Sequence, residues 1–232
     1  MALPNRLNAC FAHCLLALLL LPLQGGAQKP VQSAPPAVEK ITETTYRVGA
    51  ALVDTRSRTV TCPGVVNMDA GTVEYLAVAP HGKLHESVLR LDVRPIHLQV
   101  ALLLLGIEPK NVLKYQGDPH APEGAPLEIR VKWRDAAGTD QEAAASDLLG
   151  VLRTGSGPCS WVFTGSRILR AGFEGDISQS LIAVWHDPAA LIDNRAEAGA
   201  WNAYIVRKGH VPKRGTPIQL VIHPAEGGRG TQ

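Results

Sequence analysis

Gly, Pro and Asp cut the chain beyond Thr45 into short apolar runs, and only one stretch keeps a firm helical pattern. That stretch is "PIHLQVALLLLG", Pro95 to Gly106. Pro95 suits the first helical turn, Gly106 suits the residue past the last, and Pro109 blocks any continuation. Every residue from Val100 to Leu105 is apolar, so the second half of the helix is expected to be buried on more than one side. It is too short to span a bilayer. The runs around it read as strands. "YRVGAALVD" and "RTVTCPGVVN", separated by "TRS", suggest a hairpin, and "GTVEYLAVAP" and "LHESVLRLDV" flank His81-Gly82-Lys83 as a second. Leu127 to Arg134 is a further strand, with Ile129, Val131 and Trp133 on one face. "CSWVFTGSRILRAGF", "SLIAVWHD", "NAYIVRK" and "TPIQLVIHP" complete the set, while "DQEAAASDLLGVL" fits a short second helix over about 141–150. The expected class is α+β: β-rich, antiparallel, with one buried helix on the sheet.

The N-terminus gives the expected address. Arg6 and the amino terminus supply positive charge, Phe11 to Leu23 an apolar run, and Gly25-Gly26-Ala27 small residues for a signal peptidase. The organisation read from this is a signal peptide over 1–27 and a Pro/Ala-rich tether over 28–44. A single domain over 45–224 and a flexible end over 225–232 follow. The apolar run falls short of a span, so the mature chain is expected in the periplasm or outside the cell, with no membrane crossing. With 232 residues and 45% hydrophobic composition, the chain can bury a full core without metals or staples. Its net charge of +2, from 23 basic and 21 acidic residues, offers no basic stripe for a phosphate backbone. A nucleic-acid partner is therefore set aside.

Cys10 and Cys14 leave with the signal, so Cys62 and Cys159 remain. Alternation along a strand puts both sulfurs toward the core. An oxidising compartment allows a Cys62–Cys159 disulfide, and buried free thiols are the alternative. Two cysteines cannot supply the four thiolates of a ferredoxin-type cluster, and no cofactor is expected.

"LHESVLRLDVRPIHLQVALLLLG", Leu84 to Gly106, sets two histidines, two acids and a serine beside the most apolar run. In a hairpin with a two-residue loop, Glu74, His85 and Ser87 share one side of the sheet. A three-residue loop instead puts Glu74 with Glu86. The first register offers a serine, a histidine and an acid, and the second offers paired carboxylates. Ser87 has no G-x-S-x-G elbow, and residues two apart on a strand stand roughly 6–7 Å apart, too far for a direct bond. Two imidazoles, His85 and His97, with Glu74 or Glu86 would suit zinc or a similar ion. The third reading is structural: the acids neutralised by Arg90 or Arg94, with the histidines bonding local backbone. Two further stretches carry both readings. Gly165-Ser166 in "WVFTGSRI" makes a bulge or turn, and Asp187 before Pro188 makes an Asx turn or, with His186 and Asp193, a metal cluster.

In order along the chain, "GTVEYLAVAPHGKLHESVL", "IHLQVALLLLG", "VKWRD", "WVFTGS" and "GTPIQLVI" resemble the YdjY-like domain family, exported bacterial domains of unknown function. The matching positions are Glu74, His85-Glu86, His97 with Ala101-Leu102-Leu103, and Trp161 to Ser166. The resemblance runs from about Tyr46 to His223. It implies an exported, non-catalytic binding or accessory module whose candidate residues are Glu74, His85, Glu86, Ser87 and His97. The partner would be an envelope protein or a small ligand. The alternative is a metal-assisted hydrolase using the Glu74/His85/Glu86/His97 cluster. The signal reading makes a direct prediction: N-terminal sequencing of the protein recovered from the envelope fraction of an expressing bacterium starts at Gln28, and a start at Met1 overturns it.

Overall fold

A computed structural model describes residues 36–152, 157–196 and 202–225. The expected signal peptide, the start of the expected tether and most of the expected flexible C-terminal end lie outside the described residues. The chain order is β1 (Val38–Lys40), β2 (Thr45–Val48), β3 (Ala51–Asp54), β4 (Thr59–Val66), β5 (Tyr75–Val78), β6 (Ser87–Leu91) and helix α1 (Pro95–Leu104). Next come β7 (Ala125–Arg134), β8 (Asp140–Ala144), β9 (Leu149–Val151), β10 (Trp161–Phe163), β11 (Ile168–Leu169), β12 (Gly172–Phe173) and the short α2 (Glu174–Ser178). The last strands are β13 (Ser180–Ala183), β14 (Ile192–Asn194), β15 (Tyr204–Val206) and β16 (Pro217–Pro224).

Eight strands close into a barrel in the order β4, β16, β7, β10, β14, β13, β5, β6, with β6 returning to β4. The strand content matches the sequence reading, but the sheet is mixed rather than simply antiparallel. The pairs β5–β6 and β13–β14 are parallel. β4 divides one edge between two partners: Thr59–Thr61 pair with β3, and Gly64–Val66 pair with β6. Pro63, which has no N–H to pair, sits at the changeover. The ribbon β1–β2–β3 branches from the barrel there, and β8 extends it beyond β7.

The barrel wall has two characters. In β4, β7 and β16 burial alternates, with Val60, Cys62, Ile129, Val131, Leu220 and Ile222 inward. Their other face meets solvent. β5, β10, β13 and β14 are buried on both faces. Irregular segments lie over them, including the long segment 105–124, which is tied down by Lys110 N–H to the Phe163 carbonyl and Gly117 N–H to the His186 carbonyl.

Three local expectations are corrected. The stretch around His81-Gly82-Lys83 is no hairpin: β5 and β6 run parallel, and residues 79–86 double back between them, ending in a single 3-10 turn, Leu84–Glu86. The 141–150 stretch is β8, a 3-10 turn and β9 instead of a helix. Pairing with β7 overrides its alanine-rich composition, and Arg134–Asp140 and Arg130–Glu142 ion pairs fasten it. The Cys62–Cys159 bridge does not form; both are buried free thiols. β16 and β7 stand between β4 and β10 in the wall, and three strand spacings of about 4.8 Å along it exceed the roughly 7 Å between Cα atoms that a disulfide tolerates.

α1 starts at Pro95 as expected and ends at Leu104, one residue early, within the usual scatter of helix ends. It buries Pro95, Leu98, Ala101 and Leu102, half-buries Ile96, His97, Gln99 and Val100, and leaves Leu103 and Leu104 exposed, so its second half is not covered all round. The Asp176 carboxylate accepts the Ile96 N–H at 3.0 Å and caps the helix from α2. α1 lies against β2 and β3. Gly49, in the turn between those strands, has φ +59°, and a Cβ there would fall 2.0 Å from His97 Nδ1. Gly49→Ala is therefore expected to cost about 2 kcal/mol or more in urea denaturation, from backbone strain plus the clash. Combining it with His97→Ala should recover about 0.5–1 kcal/mol of coupling. Strict additivity would show that the ring is not the obstacle.

Candidate functional site

Two short crossovers meet on the outer face of β5 and β13. Residues 79–86 return from β5 to β6, and residues 184–191 return from β13 to β14. Between them lies a small second core of Tyr75, Val78, Ala183 and Ala190, with Leu84 against it. Backbone bonds set the geometry. Glu74 N–H donates to the Glu86 carbonyl at 3.0 Å, and the Glu74 carbonyl accepts the N–H groups of Val184 (2.8 Å) and Trp185 (3.0 Å). Asn67 Nδ2 donates to the Leu84 and Ser87 carbonyls at 2.5 and 2.7 Å and staples the first crossover to the end of β4.

Tyr75 is the hub. Its hydroxyl donates to Asp187 Oδ2 at 2.7 Å and accepts from Lys83 Nζ at 3.0 Å and Gln116 Nε2 at 3.2 Å. One donor and two acceptor positions are all a hydroxyl has, so its capacity is used in full. Burial, and then the neighbouring Asp187 charge, push the phenol up. Asp187 Oδ2 also accepts the Ser180 hydroxyl at 3.1 Å, and Oδ1 accepts the Ala189 N–H at 2.9 Å, which makes the Asx turn over Pro188. Asp187 N–H reaches Asp193 Oδ2 at 3.2 Å. Asp193 is fully buried, Oδ1 has no partner, and burial holds its carboxyl well above the usual range.

Beside the hub stand the two acids. Burial first, and then the Glu86 charge, push the Glu74 carboxyl up to about 7, with Lys83 pulling the other way. Gln116 Nε2 donates to Glu74 Oε2 at 3.2 Å, and Lys83 Nζ donates to Gln116 Oε1 at 3.2 Å. Glu86 lies 3.6 Å from both Lys83 Nζ and His85 Nε2.

The structure thus brings Glu74, Glu86 and His85 together, with the two acids side by side, though through a parallel crossover and not a hairpin register. His85 stands 79% exposed at the rim. Ser87 is buried, and its hydroxyl donates to the Lys83 carbonyl at 2.7 Å. His97 belongs elsewhere, on α1 against Gly49. Burial, aided by Arg94, lowers its imidazole against the pull of Asp176. His186 is buried between the Asp118 and Asn194 carbonyls at 2.8 and 2.9 Å and anchors the 105–124 segment. Among the described residues no three His, Cys, Asp or Glu side chains are grouped to hold a metal ion. Tyr75, Lys83 and Gln116 carry no signature of their own in the sequence. For Gln116 alone there is a signal, the long segment 105–124 without regular structure, a length at which loops in compact domains are usually functional.

The fold and site define a closed, mixed β-barrel domain with a half-buried polar cluster of two acids, one ammonium group and a side-chain amide on its outer wall. The family model of the YdjY domain matches residues 51–223, and the chain belongs to that family. No curated protein and no solved structure matches it.

A carboxyl raised to about 7 in the fold, against 4.5 ordinarily, favours the folded state when protonated. That contribution is whole below pH 4.5 and is lost as pH rises through 7. The lowered His97 imidazole acts oppositely, favouring the fold as it loses its proton. The difference between wild type and Glu74→Gln isolates the carboxyl. The variant should gain about 1 kcal/mol relative to wild type between pH 5 and pH 8, a figure reduced for solvent screening. Parallel curves in urea titrations at those pH values overturn this.

Proposed function

We propose that the chain is an exported domain of the cell envelope, periplasmic or secreted, that binds a small ligand or an envelope protein without turning it over. The proposed binding site is the cluster of Glu74, Lys83, Glu86 and Gln116 over Tyr75, with His85 at its rim. The observation that carries this reading is the pairing of two acids and one ammonium group around a side-chain amide at a half-buried position. Such a set recognises polar groups by charge and hydrogen bonding. It supplies no activated nucleophile: Ser87 donates to a carbonyl, while Ser180 and Tyr75 donate to Asp187. The apolar run and small residues ahead of Gln28 support export, and the tether would set the domain off from its point of attachment.

Thermal-shift screening of residues 28–232 against small polar molecules tests the reading, with Lys83→Met beside wild type. A compound should raise the wild-type midpoint by several degrees and leave Lys83→Met unmoved. Turnover of an ester or amide that Glu74→Gln abolishes would instead favour the hydrolase.

A further inference from the structure

Gln116 is held as a ligand would be. It comes from the long segment 105–124, not from either crossover, and all of its side-chain polar atoms are engaged by the site. Its Nε2 donates to Glu74 Oε2 and to the Tyr75 hydroxyl, both at 3.2 Å, and its Oε1 accepts from Lys83 Nζ at 3.2 Å. The orientation of the amide is fixed by chemistry. Turned over, its nitrogen would face an ammonium group and its oxygen a carboxylate. The Tyr75 hydroxyl, whose proton goes to Asp187, faces the amide as an acceptor only.

We propose that this cluster is a primary-carboxamide site, and that Gln116 fills it as an internal placeholder which an incoming carboxamide displaces. The inference rests on the cluster being a ligand site and names the class of ligand. The chemistry is selective. Two acceptors, Glu74 and Tyr75, call for two N–H groups on one nitrogen, and Lys83 calls for a carbonyl oxygen on the adjoining carbon. A backbone peptide amide has a single N–H and leaves one acceptor unmet. A carboxylate sets an oxygen against the Tyr75 hydroxyl, which can only accept here, and against Glu74 once that is ionised, and an amine offers nothing to Lys83. The ligand is therefore a molecule with a terminal –CONH2 group, such as a glutamine or asparagine side chain or an amidated carboxyl end. Glu86 and the exposed His85 lie next to this position and would meet whatever the amide is attached to.

Gln116→Ala removes the –CH2–CONH2 portion and leaves a gap the size of acetamide. Acetamide should raise the thermal midpoint of this variant saturably, with half-effect at about 10–100 mM, the range open to so small a fragment. Acetate and N-methylacetamide at equal concentrations should not. Wild type should respond at least ~10-fold more weakly, because its tethered amide competes at high effective concentration. Adding Lys83→Met to Gln116→Ala should abolish the response. Equal shifts from acetamide and N-methylacetamide, or the same response in wild type and variant, overturn the proposal. A second measurement covers failure of the variant to fold. In wild type the Gln116 side-chain NH2 protons should exchange with solvent at least ~10-fold more slowly than in free glutamine, and Tyr75→Phe should speed them. Exchange at the free rate overturns the placeholder. Should a Lys83-dependent compound bind wild type while acetamide fails in Gln116→Ala, only the ligand class is wrong. Failure of both removes the site itself.

Discussion

A parallel strand pair needs a return path, and in this barrel both return paths are short and lack a helix. Parallel neighbours are ordinarily joined by a dozen or more residues. Here residues 79–86 and 184–191 do the work. A segment so short cannot swing clear of the sheet, so each lies against the wall it has just left. This confines Lys83 and Glu86 from one return, and Asp187 from the other, to the few ångströms around Tyr75. The small second core beneath them, Tyr75, Val78, Ala183 and Ala190, is the apolar floor that such close covering requires.

The cluster carries one more acid than it has ammonium groups. Glu74 is half-buried beside a like charge, a costly arrangement, and three features offset it: the Lys83 ammonium, the Gln116 amide and a carboxyl raised to about 7. Tyr75 links this half-buried set to the buried carboxyl groups of Asp187 and Asp193. The chain of bonds runs from solvent to the deepest acid in the wall, which makes the position of the 105–124 segment sensitive to charge at its outer end.

Most of the barrel strands were legible as strands, but only three of the eight showed in the sequence which face turns inward, for a physical reason. β4, β7 and β16 have one face in solvent, so their residues alternate, and a helix framed by Pro95 and Gly106 announces itself. β5, β10, β13 and β14 are covered on both sides, and a continuous apolar run says nothing about direction or neighbour. Gly82 in a tight turn looks the same whether the chain goes on to form a hairpin or a crossover, which is why the direction of β6 was misread. "QEAAA" has helical composition, yet its place beside Arg130 and Lys132 of β7 decides its conformation. At the site, Glu74, His85 and Glu86 stood out as charges beside apolar runs. Tyr75 looked like core and Gln116 like loop, because their role comes only from contacts distant in sequence.

The two free cysteines have a consequence of their own. Cys62 and Cys159 are sealed in the interior, and burial pushes both thiols up to about 12. The thiolate is the form that attacks disulfides and oxidants, and almost none exists at neutral pH. While folded, the domain therefore holds both sulfurs back from thiol–disulfide exchange, and no bridge contributes to its fold.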